Sequence, residues 1–368
     1  MKKVILHVLN YGASYRGNFI DSLENLGALI GEDSLEHYYM FTRDANNVKS
    51  RVWIDELQKQ GRRIFFLTGS IARDVQEIKD ILKGENVEAI HTHFITMRQY
   101  LVIYLATFSK KLPVIMHMHN HSKEARGAIK RVLRRLLYKK CKMIACSESV
   151  LRSLERDYPA NEKFAIDNGV NFERLEQYSE ITAAEYGLKE TDKVLLIFGF
   201  DFYRKGVDLA VRALDKLRKE GKDYSLLISL STNFEEVEKH IYAILGDVPE
   251  WVKIIQARND VATLYNFVDV FLSPSREEGL PYSVVEAGYS KCGVVMSDIS
   301  AQAHLKIPYG IWFASENYED LACKIVEAIE EHEKKKSQWE VVKSQMKEAY
   351  ALDSWSNKIR EYYKKVLK

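Results

Sequence analysis

Short apolar runs alternate along this chain with longer stretches in which apolar residues recur at helical spacing. In the first half the runs predict strands at residues 4–9, 38–42, 64–68, 87–91, 114–118, 143–146 and 163–166. Helical patterns lie between them at 19–29, 72–82, 100–109, 124–140 and 148–156. From residue 193 the rhythm restarts, with strands at 194–198, 225–230, 252–256, 270–273, 294–297 and 310–313. The helices of that second set fall at 207–220, 235–245, 261–267, 281–291 and 319–331. Strand, helix, strand at such spacing predicts βαβ units and parallel sheets covered on both faces. Residues 168–192 are polar with little periodicity and hold the boundary. The expected division is 1–170, 171–345, and a terminal helix over 346–368. That helix is striped by Trp355, Ile359, Tyr362, Tyr363 and Val366 and packs on one domain or the other. The simplest architecture is α/β: two Rossmann-like domains with parallel sheets facing an interdomain cleft, ligands bound at the C-terminal strand ends.

Composition narrows the classes. The 368 residues carry 54 Lys+Arg against 52 Asp+Glu, a net +2, so no global field draws the chain to nucleic acid. A 46% apolar fraction excludes wholesale disorder. Cys141, Cys146, Cys292 and Cys323 form no C-x-x-C pair, which fits a reducing compartment. The opening run is broken by His7 and ends at Asn10 with no small-residue cleavage site after it, so it reads as a buried strand and not a leader. No stretch reaches the roughly 18 apolar residues of a spanning helix. The expected location is the cytoplasm.

The most informative segment is Ser273-Pro274-Ser275-Arg276-Glu277-Glu278-Gly279-Leu280-Pro281-Tyr282-Ser283-Val284-Val285-Glu286-Ala287. A strand ends at Ser273, a tight loop with Gly279 follows, and Pro281 suits the first turn of a helix. The amides of Leu280, Tyr282 and Ser283 would then offer partial positive charge to a pyrophosphate. Glu278 sits beside that place and Glu286 a turn and a half into the helix. Phosphate repels carboxylate, so the natural partners of these two are sugar hydroxyls. An anion site flanked by two hydroxyl acceptors describes a nucleotide-sugar.

The Glu-x7-Glu pair inside S-x-x-E-G-x-P-x-x-x-x-E-A resembles the family 4 retaining glycosyltransferases of the GT-B fold. Lys205-Gly206, after Phe198-Gly199, looks like that family's G-R-x-x-x-x-K-G loop. Asn168-Gly169-Val170 looks like its N-G-V, and Ile90–His93 and Pro113–Asn120 like two of its first-domain strands. The resemblance implies that Lys205 neutralises the donor's phosphates, Glu286 holds the ribose and Glu278 the transferred sugar. It implies that His119 faces that sugar and that Gly12 lets backbone approach phosphate or acceptor. It further implies retention of configuration, no cofactor and no essential metal, with a nucleotide-sugar, UDP-linked, as donor substrate. The acceptor would be a glycan or lipid-linked sugar of cell-surface polysaccharide.

Two departures stand out. Phe200 occupies the place of the family's Arg, leaving Arg204 or Arg258 to supply the second cation. Ser300-Ala301 stands where many members have Gly-Gly. Lys205 reads as an exposed loop cation whose loss would cost activity far more than fold.

Two further features compete for a role. His117, His119 and His121 alternate and would share one face, as zinc ligands do. No acidic ligand motif accompanies them, and a metal site would leave Glu278 and Glu286 unexplained, so His119 is read as a substrate contact. Between Lys123 and Lys142 nine basic residues face one acid. Ile129, Val132, Leu133, Leu136 and Leu137 should pack this helix on its domain, turning Lys130, Arg131, Arg134 and Arg135 outward to an anionic membrane surface. That would make the protein peripheral on the inner face of the cell membrane. Alternative readings are a nucleotide-sugar epimerase of related fold and an inactive sugar-nucleotide-binding partner of a transferase.

Overall fold

In this computed structural model the described residues are 2–13, 16–42, 51–121 and 128–367, without the side chains of Ala128 and Lys130. The chain divides into two compact units, Met1–Gly169 with Leu352–Lys368, and Val170–Ala351. Among the described residues no helix is long and apolar enough to cross a membrane.

The first unit is a seven-stranded parallel sheet: β1 Lys3–Leu9, β2 Leu35–Phe41, β3 Ile64–Phe66, β4 Val87–His93, β5 Val114–Met118, β6 Lys142–Ala145 and β7 Lys163–Ala165. Its order is β3-β2-β1-β4-β5-β6-β7. One face buries Ile5, Leu9, Tyr39 and Phe41 against Ile20 and Leu23 of helix Gly17–Gly31. The terminal helix Leu352–Val366, whose domain the sequence left open, belongs here: Trp355, Ile359, Tyr362 and Tyr363 complete the same core. Register also lays imidazoles on this face, His7 opposite His91 and His93 opposite His117. Gly27 makes room for another, because a Cβ there would lie 1.8 Å from the His37 ring.

The second unit is a six-stranded parallel sheet: β8 Lys193–Phe198, β9 Tyr224–Leu230, β10 Val252–Gln256, β11 Val270–Ser273, β12 Gly293–Ser297 and β13 Gly310–Phe313. Its order, β10-β9-β8-β11-β12-β13, repeats the pattern of the first. Chain direction across the sheet reverses between β8 and β11, the switch point at which ligands of such sheets bind. Helix Val207–Lys219 packs Val207, Val211 and Leu214 onto Ile197, Ile228 and Leu272.

Departures from the sequence pattern are local. Helix Val52–Lys59 is not among the expected elements. The final stretch is two helices, Trp339–Tyr350 and Leu352–Val366, broken at Ala351, whose extended backbone forms a bridge with Val170.

Candidate active site

In the second unit the loops leaving β8 and β11 are fastened together at the switch point. Arg276 N–H donates to the Arg204 carbonyl at 2.8 Å. Gly206 comes so close to Pro274 that an added Cβ would lie 2.0 Å from its carbonyl oxygen, and its φ of +69° is left-handed. Only glycine satisfies both demands, which is why the residue after Lys205 is one. Arg276 locks this junction with paired bonds to Asp208 (2.7 and 2.8 Å) and to Glu316 (2.7 and 2.8 Å). Pattern reading passed over Arg276, since its two acids lie 68 and 40 residues away.

The junction sets Lys205 against Glu278, Nζ to Oε1 2.5 Å, with side chains only 11% and 9% exposed. The expectation of an exposed lysine is therefore corrected. Burial lowers the Lys205 pKa, and the facing carboxylate works in the other direction. Ser275 donates to the same carboxylate oxygen at 2.8 Å, and Arg204 Nη1 lies 3.7 Å from the other. Arg204 is thus a second cation beside Glu278, on the loop where Phe200 replaces the expected arginine. The Phe200 ring, 55% exposed, lies under both, 5.0 Å from the Arg204 guanidinium carbon and 4.8 Å from Lys205 Nζ. Beneath them a buried polar floor ties the strand ends: Ser297 donates to the Ser275 carbonyl and Gln302 to Ser273 Oγ.

Helix Tyr282–Tyr289 starts beside Glu278. Pro281 is its capping residue and not a first-turn residue, because its ψ of 93° is non-helical while its carbonyl accepts from Val284. Leu280 is buried behind the cap, and Ser283 gives its carbonyl to the Tyr265 hydroxyl. Glu286, one turn on, is buried and held by Tyr265 (3.2 Å) and Arg174 (3.2 Å). Burial raises its pKa, opposed by Arg174 and the Tyr265 hydroxyl. Neither Arg174 nor Tyr265 was singled out in the sequence; both reach Glu286 through tertiary packing that no local motif announces. Arg258 is not brought to this group. Asp260 clamps it at 2.9 and 2.6 Å, and its remaining bond is to Tyr186.

In the first unit Gly12 lies in the loop after β1, where its carbonyl accepts from Arg51. His119 follows β5, stacked on Phe94 (4.3 Å) and His117 (4.3 Å), with Nε2 3.1 Å from His93 Nδ1. The expected trio of His117, His119 and His121 does not form. The strand ends at Met118, so alternation stops and His121 turns to Ser149.

Helix Ala128–Tyr138 corrects a second expectation. Four residues of its apolar stripe face outward, Ile129 at 77% exposed, Val132 55%, Leu133 56% and Leu136 61%, while Leu137 is half-buried. Arg134 points inward to Asp157 and lies over Tyr158, while Tyr138 packs on Tyr100. Arg135 is exposed yet donates to the Asp157 carbonyl. Arg131 remains an outward cation; the Lys130 side chain lies outside the described residues. Amphipathicity gave two faces and packing chose the other one.

The architecture is that of the GT-B glycosyltransferases. A glycosyltransferase from Rickettsia africae superposes with a TM-score of 0.80, 19% identity, and coverage of 100% of this chain and 99% of that one. Anabaena HepE in complex with UDP and glucose gives 0.78, 16% identity, and 99% and 100% coverage. The family model "Glycosyl transferases group 1" matches residues 179–343, and "Glycosyltransferase Family 4" matches residues 36–174. The chain belongs to the group 1, family 4 glycosyltransferases. Among curated relatives it is 30% identical to the lipopolysaccharide glucosyltransferase WaaG of Escherichia coli over 36% of this chain and 35% of that protein. It is 36% identical to the N,N'-diacetylbacillosaminyl-diphospho-undecaprenol alpha-1,3-N-acetylgalactosaminyltransferase of Campylobacter jejuni over 20% of each. The chain thus spans little more than a third of the length of the first of these relatives and a fifth of the second.

Proposed function

We propose that this glycosyltransferase moves a hexosyl or N-acetylhexosaminyl unit from a UDP-sugar, with retention, to a glycan or lipid-linked acceptor in cell-surface polysaccharide synthesis. The observation that carries the reading is the pair of buried carboxylates beside one helix start, each with its own cation. Lys205 has three N–H donors, so it can keep Glu278 while it meets the diphosphate. Arg204 and the helix dipole add to that field, where leaving-group charge develops. Glu286 takes ribose hydroxyls and Glu278 those of the transferred sugar. His119 acts toward the sugar as a neutral imidazole, since burial holds its pKa well below the usual value. The UDP bound by HepE and the lipid-diphosphate acceptor named for the Campylobacter relative support the donor and acceptor classes.

The membrane reading also changes its physics. Four outward apolar side chains among arginines favour insertion of helix Ala128–Tyr138 at the headgroup level over adsorption by charge alone. The protein then works as a peripheral enzyme at the cytoplasmic membrane. Incubation with a panel of UDP-sugars and a lipid-diphosphate acceptor, with the product anomer read by NMR, tests the reaction; an inverted linkage, or donor turnover without transfer, contradicts it. Leu133→Asp with Leu136→Asp should release the protein from anionic vesicles on sedimentation. Unchanged binding of that variant removes the helix from the membrane contact.

A further inference from the structure

Phe200 stands where the family has arginine, and packing does not demand it. Its ring is exposed, whereas Phe202, two residues on, is buried in the core of the second unit. The turn after β8 decides what the ring meets. Lys205 N–H donates to the Asp201 carbonyl at 2.9 Å, Arg204 N–H to Asp201 Oδ1 at 3.3 Å, and left-handed Gly206 closes the turn. In extended chain, neighbouring side chains point apart. Here Arg204 and Lys205 both return over one ring, the guanidinium carbon 5.0 Å and Nζ 4.8 Å from its centroid. Both distances fall inside the roughly 6 Å within which an aromatic face attracts a cation.

We propose, on the reading that these two cations meet the donor's diphosphate, that Phe200 is a positioning residue whose π-face holds them together before the diphosphate arrives. Like charges on adjacent residues repel. Burial lowers the Lys205 pKa, and Arg204 adds to the lowering while Glu278 opposes it. Two carboxylates already serve the pair, Glu278 on Lys205 and Asp201 on Arg204 Nε at 3.0 Å. Another acidic group would hold the cations but repel the phosphates, and an arginine at position 200 would crowd in a third positive charge. A neutral ring attracts both cations through its quadrupole and carries no net charge for the phosphates to oppose. Glu278 and the ring together thus fix a flexible lysine through two contacts, and the phosphates meet an arranged site.

The test places phenylalanines with one, two and three ring fluorines at position 200 of the full chain. Fluorines drain the π-face step by step at nearly constant size, so a folding defect cannot imitate the trend. Calorimetric titration with UDP and with uridine reads the effect. UDP affinity should fall with each fluorine, by about fivefold or more over the series, as two exposed cation–π contacts imply. Uridine affinity should stay constant. Phe200→Leu, apolar but without a π-face, should match the end of the series, and Phe200→Trp should bind UDP at least as tightly as the parent. UDP binding that ignores the fluorines, or Phe200→Leu binding UDP like the parent, overturns the proposal and leaves the diphosphate site standing. Uridine weakening in step with UDP also overturns it, since the ring would then stack on the nucleoside. A parent that binds UDP no better than uridine removes the diphosphate site itself, and the role of Phe200 with it.

Discussion

The two units repeat one strand order and differ in where they keep polar side chains. In the second, the sheet face under helix Val207–Lys219 is apolar, with Ile197, Ile228, Leu272 and Val295, and the ion pairs of Lys205 with Glu278 and of Arg174 with Glu286 lie off that face. In the first, imidazoles run across the sheet face itself. One fold therefore supports two designs. The second unit gathers its candidate site groups at the switch point and keeps that sheet face free of histidine side chains. The first builds titratable groups into its core and ties stability to pH.

The largest effect that separates these designs concerns Lys205. Lys205→Met should reduce transfer about 100-fold or more, as loss of a preorganised cation does. It should also destabilise the second unit by on the order of 3 kcal/mol, because Glu278 is left buried without its partner. Adding Glu278→Gln should restore the melting temperature and leave transfer low. If the single variant melts like its parent, the ion pair is not the buried one described.

The next effect tests the first unit. Burial lowers the His37 pKa to about 4, while the unfolded value is 6.5. Between those values the unfolded chain binds more protons, so stability drops as pH falls, by about 2 kcal/mol from pH 6.5 to 5. The second unit has a contrasting group. Burial would raise the Asp269 carboxyl, but bonds from His332, the Val194 amide and Lys193 outweigh it and hold the pKa at about 2. Its contribution is therefore intact above 3.8 and fades as pH falls toward 2. Amide exchange at pH 5 should show the first unit opening before the second, with His37→Gln narrowing the gap. Equal acid sensitivity of the two units would erase the contrast.

A smaller effect resides in Glu286. Burial raises its pKa, so charging it in the folded protein is costly, and the stability of its neutral form fades as pH rises through that value. In the proposed reaction the charged form is the one that accepts ribose hydroxyls. Donor affinity should therefore fall on acidification at a pH above the ordinary glutamate value of 4.5. Glu286→Gln should bind about tenfold more weakly and lose that acid limb.

Much of this was readable in the sequence, and the unread parts share a cause. Parallel strands buried on both faces are written as apolar runs, so nearly every strand was legible. β2 was expected to start late because Glu36 and His37 look polar, though His37 is buried under Gly27. The Glu278–Glu286 segment was legible because strand, loop and helix start are consecutive in the chain. The burial of Lys205, the Arg174 and Tyr265 contacts to Glu286, and the histidine assembly depend on residues brought from far along the chain. Local pattern also cannot say which face of an amphipathic helix is covered, as Leu133 and Leu136 illustrate.

The central claim is that a diphosphate rests at the start of helix Tyr282–Tyr289 under Lys205 and Arg204. Calorimetric titration with UDP and with uridine, on the parent and on Lys205→Met/Glu278→Gln, tests it most directly. The account predicts that UDP binds the parent far more tightly than uridine and that the double variant loses most of that difference. A difference between UDP and uridine that survives in the variant would contradict it.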